Sequence, residues 1–353
     1  IQKHNLQENP IKMGVALTEL LLKKEIELNE LSGKIIVIDG NLFLYQFLAT
    51  IRSRDGSLLT DSKGNITSHL VGLFARTTNL MQRGLKLVFV FDGKPPQLKQ
   101  KEYEKRNALK LEAEKKFLEA KKREDAEEMK KYASRTSRLS KDMTEESKKL
   151  ISLLGLPIVQ APSEGEAQAA YIVKENKGFA VGSQDFDSLV HGATKLARNL
   201  SISGRRKNKV GYETIKPELI DLSENLNNLG IDQNQLITLA MIIGTDYNHG
   251  GIKGIGPKNA LKLVKQYKTD FDSLFNTVKW DTFFGFPWTE VYYLIKKIPV
   301  TDKYSLEWND MDNEKLYELL VNEHDFSEQR VKTTLEKLKK TTTRKQQKSL
   351  GDF

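Results

Sequence analysis

The chain has 353 residues, 29% of them charged and 39% hydrophobic, a formal net charge of +9 and no cysteine. The lack of cysteine excludes disulfides, thiolate metal sites and cysteine nucleophiles, and fits an intracellular, cytoplasmic setting. No apolar run reaches membrane-spanning length, so no membrane partner is expected. The excess of base points to a polyanionic partner, nucleic acid before others.

Residues 1–12 are polar and irregular and read as a disordered or non-native leader. Residues 14–30 read as a helix with apolar Leu17, Leu20, Leu21 and Leu28. A strand follows over 34–38, a helix over 42–50, and a turn at Arg54-Asp55-Gly56-Ser57. The spacing of Leu70, Leu73, Phe74, Thr77, Leu80 and Met81 predicts a helix over 67–83, and an apolar run predicts a strand over 85–91. From 97 to 149 Lys, Glu and Arg crowd the chain and helix formers dominate without a sustained heptad. This segment reads as a helical insertion projecting from the sheet edge. Strand–helix alternation resumes at Leu156 and Phe179. A helix over 235–244 leads through a Gly-rich turn into a helix over 259–267, which makes 235–268 a candidate helix–turn–helix module. Further helices are expected over 290–297 and 314–323. Residues 341–353 form a polar, basic tail, expected to be flexible. The fold class is α/β, a mostly parallel sheet flanked by helices, with 13–340 as one core.

The placement of acids carries the chemistry. Ile35-Ile36-Val37-Ile38 runs into Asp39, and Leu87-Val88-Phe89-Val90-Phe91 into Asp92. Pro157-Ile158-Val159 leads to Glu164 and Glu166, and Phe179-Ala180-Val181 to Asp185 and Asp187. In an open parallel sheet all strand carboxyl ends lie along one edge, and that edge carries the site. Singly, each acid has a structural use as a turn or helix cap. Ser163 and Glu166 have the spacing of a capping box. Capping does not explain acids after four strands, and Asp246 adds a seventh after another apolar run. So many carboxylates in one place repel unless a cation joins them. Oxygen-only donors select hard ions, Mg²⁺ or Mn²⁺. Two such ions roughly 3.5–4 Å apart form the phosphodiester-cleaving arrangement. Lys94, Lys99 and Arg106 follow Asp92 and are placed to neutralise transition-state charge. Tyr45, beyond Asp39, is placed to stack on a base.

The segment Gly250-Gly251-Ile252-Lys253-Gly254-Ile255-Gly256-Pro257-Lys258 is a second signal. Its glycines allow close backbone approach, and the helix start offers free N–H groups to a phosphate. Gly254, Gly256 and Lys258 are the candidate duplex contacts, without base readout. Carbonyls of the 251–256 turn would also suit a monovalent cation.

Taken in order, Ile38-Asp39-Gly40, Tyr45-Gln46-Phe47-Leu48, Val90-Phe91-Asp92-Gly93-Lys94-Pro95-Pro96, Glu164-Gly165-Glu166-Ala167, Asp185-Phe186-Asp187, Gly244-Thr245-Asp246-Tyr247 and Gly254-Ile255-Gly256-Pro257-Lys258 resemble the flap endonuclease family of structure-specific 5′ nucleases. The resemblance runs from Gly14 to the C-terminus. It implies a Mg²⁺-dependent enzyme with 5′-flap endonuclease and 5′→3′ exonuclease activity, working in Okazaki fragment maturation and base excision repair on DNA with 5′ flaps or nicks. It assigns Asp39, Asp92, Glu164, Glu166, Asp185, Asp187 and Asp246 to two metal ions, Lys99 and Arg106 to catalysis, Tyr45 to base stacking, and Arg52 to a substrate strand. It makes 97–149 the helical arch and gateway that the 5′ end threads. Gln347, Leu350 and Phe353 resemble the anchors of a sliding-clamp (PCNA) binding box. Met13-Gly14 matches the family's usual start, which leaves 1–12 as the non-native leader. No nuclear-type basic extension follows the clamp box, so the chain is expected to be archaeal, monomeric and nucleoid-associated. The rival readings are a related nuclease for gaps or junctions and a non-catalytic clamp-binding DNA adaptor.

Overall fold

The computed structural model describes residues 15–123, 125–133, 138–200, 205–207 and 212–350. In chain order these begin with β1 (Lys24–Glu25), a 3₁₀ turn at Leu28–Leu31, β2 (Ile35–Asp39), α1 (Gly40–Thr50), α2 (Ser68–Gln82) and β3 (Lys86–Phe91). The charged segment gives α3 (Gln97–Lys122) and α4 (Ala126–Ala133), followed by α5 (Lys141–Leu153). Then come β4 (Ile158–Gln160), α6 (Gly165–Lys174), β5 (Ala180–Gly182), α7 (Asp187–Val190) and β6 (Lys195–Arg198). A hairpin of β7 (Arg205–Lys207) and β8 (Tyr212–Thr214) precedes β9 (Glu218–Asp221) and α8 (Leu222–Leu229). The remainder is helical: α9 (Gln233–Ile243), α10 (Pro257–Tyr267), α11 (Phe271–Thr277), α12 (Trp280–Phe283), α13 (Trp288–Lys296), α14 (Asn313–Tyr317) and α15 (Glu328–Leu350).

Seven strands form one sheet in the order β1-β9-β6-β5-β2-β3-β4. The five from β6 to β4 are parallel, and β9 and β1 add an antiparallel edge. The period of two along each strand sorts side chains to two cores. Ile36, Ile38, Leu87, Phe89 and Phe91 face α1, α2, α5, α14 and α15. Val37, Val88, Val90, Val159 and Val181 face α6, α7, α9, α10 and α13. Each such side chain contributes roughly 1.5–3 kcal/mol when fully buried, so the two-sided cover holds the central strands rigid. The chain runs β2, β3, β4 toward one edge and returns to place β5 on the other side of β2. The topological switch therefore falls between β2 and β5, where an open α/β sheet forms its crevice.

Four expectations change. The helix expected over 14–30 does not form: its described residues hold β1 and most of the 3₁₀ turn at Leu28–Leu31. β1 pairs with β9 (Lys24↔Leu219), and the Asn225 side chain holds both backbone groups of Leu22, at 2.6 and 3.1 Å. Leu17 and Leu21 enter one core and Leu31 the other, so tertiary pairing overrides helical spacing. The solvated insertion ends near Ser140 rather than 149, because α5 buries Leu150 and Ile151 against α2. The last helix continues to Leu350, through most of the stretch expected to be a flexible tail. The segment expected as a helix over 314–323 is α14 followed by a π-helical turn, Glu318–Glu323.

Candidate active site

The acids stand at the carboxyl ends of four neighbouring parallel strands. Asp39 ends β2, and its Oδ1 accepts the Leu42 N–H at 3.0 Å, capping α1. Asp92 follows β3, and its Oδ1 accepts the Gly165 N–H at 2.7 Å. A Cβ on residue 165 would lie 2.9 Å from that oxygen, so only glycine lets the start of α6 come this close. Glu164 is the N-cap residue of α6 and Glu166 lies in its first turn. Asp185 sits between β5 and α7. Asp187 opens α7, and its Oδ1 accepts the Val15 N–H at 2.8 Å. Asp246 comes from the turn after α9. The capping box expected of Ser163 and Glu166 does not form. Ser163 Oγ instead donates to the Lys94 carbonyl at 3.1 Å, and Glu164 takes the cap position without capping. Glu166 thus loses its structural duty and faces the other acids.

Lys99, from the first turn of α3, enters the group. Its Nζ contacts Glu164 Oε2 and lies 3.2 Å from Asp246 Oδ2. Burial pulls its pKa down, but Glu166, Asp246 and Glu164 outweigh this and raise it well above the usual lysine range. The acids feel the opposite pressure. Burial, then the charge of Asp92, pushes Asp39 up to about 7. Burial, then Asp187, Asp39 and Asp246, pushes Asp185 up to about 8. Burial raises Glu166 and Glu164 as well, with Asp187 the next cause for the former. Burial of its carboxylate, then the charge of Asp246, raises Asp92 too, against the pull of Lys99 and the Gly165 N–H. These mutual effects link all seven acids into one set, Asp187 through Glu166 and Asp185.

Among the described residues no three acids or histidines form a ready-made metal-holding group. The carboxylates face the Lys99 ammonium and one another, and like charges held together without more cation space themselves apart. The donor set itself is all oxygen and strongly short of positive charge. That is the chemistry of a hard divalent cation.

A pH dependence follows. Asp39 and Asp185 have folded pKa values above their unfolded value near 3.8. Their contribution to stability is therefore fully present below about pH 4 and is lost as pH rises through about 7 and 8. Moving Asp39 alone from 3.8 to about 7 corresponds to a cost on the order of 4 kcal/mol once it ionises. In EDTA, the Tm should fall by roughly 5–10 °C between pH 5 and pH 8.5. Mg²⁺ should raise it more at pH 8.5 than at pH 5. Melting followed by circular dichroism checks both; a Tm that climbs with pH in EDTA contradicts the first.

The other expected residues are distributed around this cleft. Tyr45, on α1, lies under the Lys110 ammonium of α3, 4.9 Å from ring centre to Nζ. Arg52 donates from Nη1 to the Gly56 carbonyl at 2.8 Å and so braces its own turn. Lys94 is exposed beside the loop that carries Ser163. In the turn between α9 and α10, Gly254 has φ +90° and Gly256 precedes the helix, both facing open space, with Lys253 and Lys258 exposed. Asn248 ties that turn to α9, its Nδ2 donating to the Met241 carbonyl at 2.6 Å and its Oδ1 accepting from Thr245 Oγ1 at 2.6 Å. The side chains of Arg106, Gln347 and Leu350, and all of Phe353, Met13 and Gly14, lie outside the described residues. Sequence reasoning missed Gln160, whose Nε2 donates to the Asp92 carbonyl at 2.6 Å. It also missed His191, buried behind Glu166 with Nε2 3.7 Å from Oε1 and lowered by burial to about 4. Neither carries a motif; a polar residue ending a predicted strand was the one available sign for Gln160.

Residues 13–113 match the XPG N-terminal domain and residues 155–246 the XPG I-region. The chain is 50% identical over 347 residues to flap endonuclease 1 of Thermococcus onnurineus, covering 97% of this chain and 99% of the relative. The chain belongs to the flap endonuclease family. Flap endonuclease 1 of Pyrococcus abyssi is 51% identical, again over 97% of this chain and 98% of its own length. The solved flap endonuclease-1 of Methanococcus jannaschii superposes with a TM-score of 0.74 at 42% identity, over 94% of this chain and all of that one. The two matched regions end at residues 113 and 246, so between them they carry all seven acids, Lys99 and Tyr45. Among the described residues no helix is long and apolar enough to cross a membrane.

Proposed function

We propose that this protein is a divalent-metal 5′-flap endonuclease with 5′→3′ exonuclease activity, acting on flapped or nicked DNA in Okazaki fragment maturation and base excision repair. One observation carries the reading. Acids from four strand ends and the turn after α9 share one cleft with the Lys99 ammonium, at the foot of a charged helical insertion. Asp39, Asp92, Glu164, Glu166, Asp185, Asp187 and Asp246 would hold two Mg²⁺ ions, with Mn²⁺ able to substitute. Bound there, the ions supply an activated water nucleophile and neutralise charge on the scissile phosphate.

The chain's own groups do the rest. The Lys99 ammonium, beside Asp246, would neutralise negative charge that builds on the phosphate, and Arg106 would join it from the next turns of the same helix. The Tyr45 ring offers a stacking face once Lys110 moves aside. Arg52 and Lys94 would contact phosphates of the substrate strand. The α9–α10 turn would grip the duplex backbone through Gly254, Gly256 and Lys258, and its carbonyls would hold a monovalent cation. α3 and α4 would form the arch for the 5′ end. The C-terminal segment with Gln347, Leu350 and Phe353 would dock on the sliding clamp of a monomeric, nucleoid-associated enzyme.

Cleavage of a labelled flap in Mg²⁺ but not EDTA tests the whole reading; no cleavage in either overturns it. The turn has its own test. Replacing Lys253 and Lys258 by Ala should weaken flap and plain duplex equally and lower the salt slope of binding by roughly 2, one per lost phosphate contact. An unchanged slope by fluorescence anisotropy would remove the turn from DNA contact.

A further inference from the structure

Arg198 ends β6, the strand beside β5, and no step above uses it. Its position follows from sheet register. Gly182 of β5 pairs with Ala197, so Arg198 lies opposite the first residue of the loop that carries Asp185. Three contacts fix its guanidinium. Nε donates to the Gln184 carbonyl at 3.0 Å. The guanidinium carbon stands 4.4 Å from the centre of the Phe186 ring. Nη1 donates to Glu218 Oε2 at 2.9 Å, and Glu218 is its direct cross-strand partner on β9. The side chain is 17% exposed, so these contacts are only partly screened by water.

The residues gripped are the two that flank Asp185. One is held by its carbonyl and the other by its ring, so the Asp185 backbone is pinned from both sides. Asp185 itself gets little other support. Its N–H reaches Ser183 Oγ at 3.4 Å, and its carboxylate accepts no hydrogen bond among the described residues. The positive charge of Arg198 also opposes the repulsion that Asp187, Asp39 and Asp246 exert on Asp185. A planar fork can donate in two directions and stack at once, which an ammonium cannot do.

We propose that Arg198 is a positioning residue for the divalent-cation site, holding the Gln184–Asp185–Phe186 loop so that Asp185 meets the ion in a fixed orientation. The proposal rests on the reading of Asp185 as a metal ligand. Partners that orient ligands in this way change metal affinity by about 10–100-fold when removed.

The test is Mg²⁺ binding to the DNA-free protein by calorimetry, with single-turnover flap cleavage measured alongside. Arg198→Met should weaken Mg²⁺ binding about 10-fold or more and raise the Mg²⁺ needed for half-maximal cleavage by a similar factor. Affinity for flap DNA in EDTA should stay within about twofold, since Arg198 touches no proposed DNA contact. Arg198→Lys keeps the charge but not the fork, and should recover only part of the loss with an unchanged Tm. Glu218→Gln, which removes the outer anchor alone, should lie between parent and Arg198→Met. Parent-like Mg²⁺ binding in both Arg198 variants overturns the proposal. If Arg198→Met does not fold, Arg198→Lys decides, and parent-like binding there overturns it as well. Asp185→Ala separates the two levels. If it too binds Mg²⁺ like the parent, the metal reading fails; if it loses binding while the Arg198 variants keep it, only the role of Arg198 fails.

Discussion

Asp185→Ala is expected to slow single-turnover flap cleavage by about 10³-fold or more while leaving flap binding in EDTA within a few-fold of the parent. Metal-assisted stabilisation of a transferring phosphoryl group supplies several kcal/mol, and about 4 kcal/mol is three decades in rate. Asp185 is the cleanest of the seven acids to remove, because five of the others have visible second tasks and Glu166 faces the buried His191. Asp39 caps α1, Asp92 holds the start of α6, Asp187 holds the Val15 N–H, and Glu164 and Asp246 pair with Lys99. Asp185 has no such task, and burial beside Asp187, Asp39 and Asp246 makes its charge costly. The variant should therefore melt at or above the parent's temperature in EDTA at pH 8. Loss of activity with gain of metal-free stability is the signature of a carboxylate kept for an ion rather than for the fold. Cleavage at the parent's rate would remove Asp185 from the metal site.

Most of this arrangement is legible in the chain itself, for physical reasons that also explain the gaps. β2 and β3 are buried on both faces, so they read as continuous apolar runs, and the acids that end them stand out. β6 and β9 do not stand out. Each is four residues long, and β6 ends in Arg198 and β9 begins in Glu218, charged residues that satisfy each other across the pair. The stretch 14–30 misleads because Leu17 and Leu21 have helical spacing, whereas the pairing of β1 with an antiparallel edge strand is a long-range event with no local signature. Ser163 misleads in the same way. Its capping-box spacing is real, but the Lys94 carbonyl competes for its hydroxyl, and that carbonyl arrives from 69 residues away. Lys99 is legible as a basic residue near Asp92. That its ammonium reaches both Glu164 and Asp246 depends on how α3 leaves the sheet edge. Residues whose contacts lie within a turn or along a strand are thus readable, and residues such as Arg198 and Gln160, which act through a neighbouring strand's backbone, are not.

Replacing Lys99 by Ala sets two effects against each other, and their split identifies its role. The ammonium neutralises Glu164 and Asp246 in the cleft. Without it, the acids have more charge to offer a divalent ion, so Mg²⁺ affinity of the free protein should stay the same or rise. The chemical step should move the other way. A preorganised cation aimed at developing phosphate charge is worth about 10²–10³ in rate, so single-turnover cleavage at saturating Mg²⁺ should fall by that factor. The metal-free fold should suffer as well. Removing one partner of a buried ion pair costs about 3–5 kcal/mol because the other charge remains. Urea unfolding in EDTA at pH 8 should show that loss, and Mg²⁺ should repair most of it. A variant that binds Mg²⁺ more weakly and regains the parent's rate at high Mg²⁺ would make Lys99 a scaffold for the acids. A rate deficit that persists at saturation makes it a participant in the chemistry.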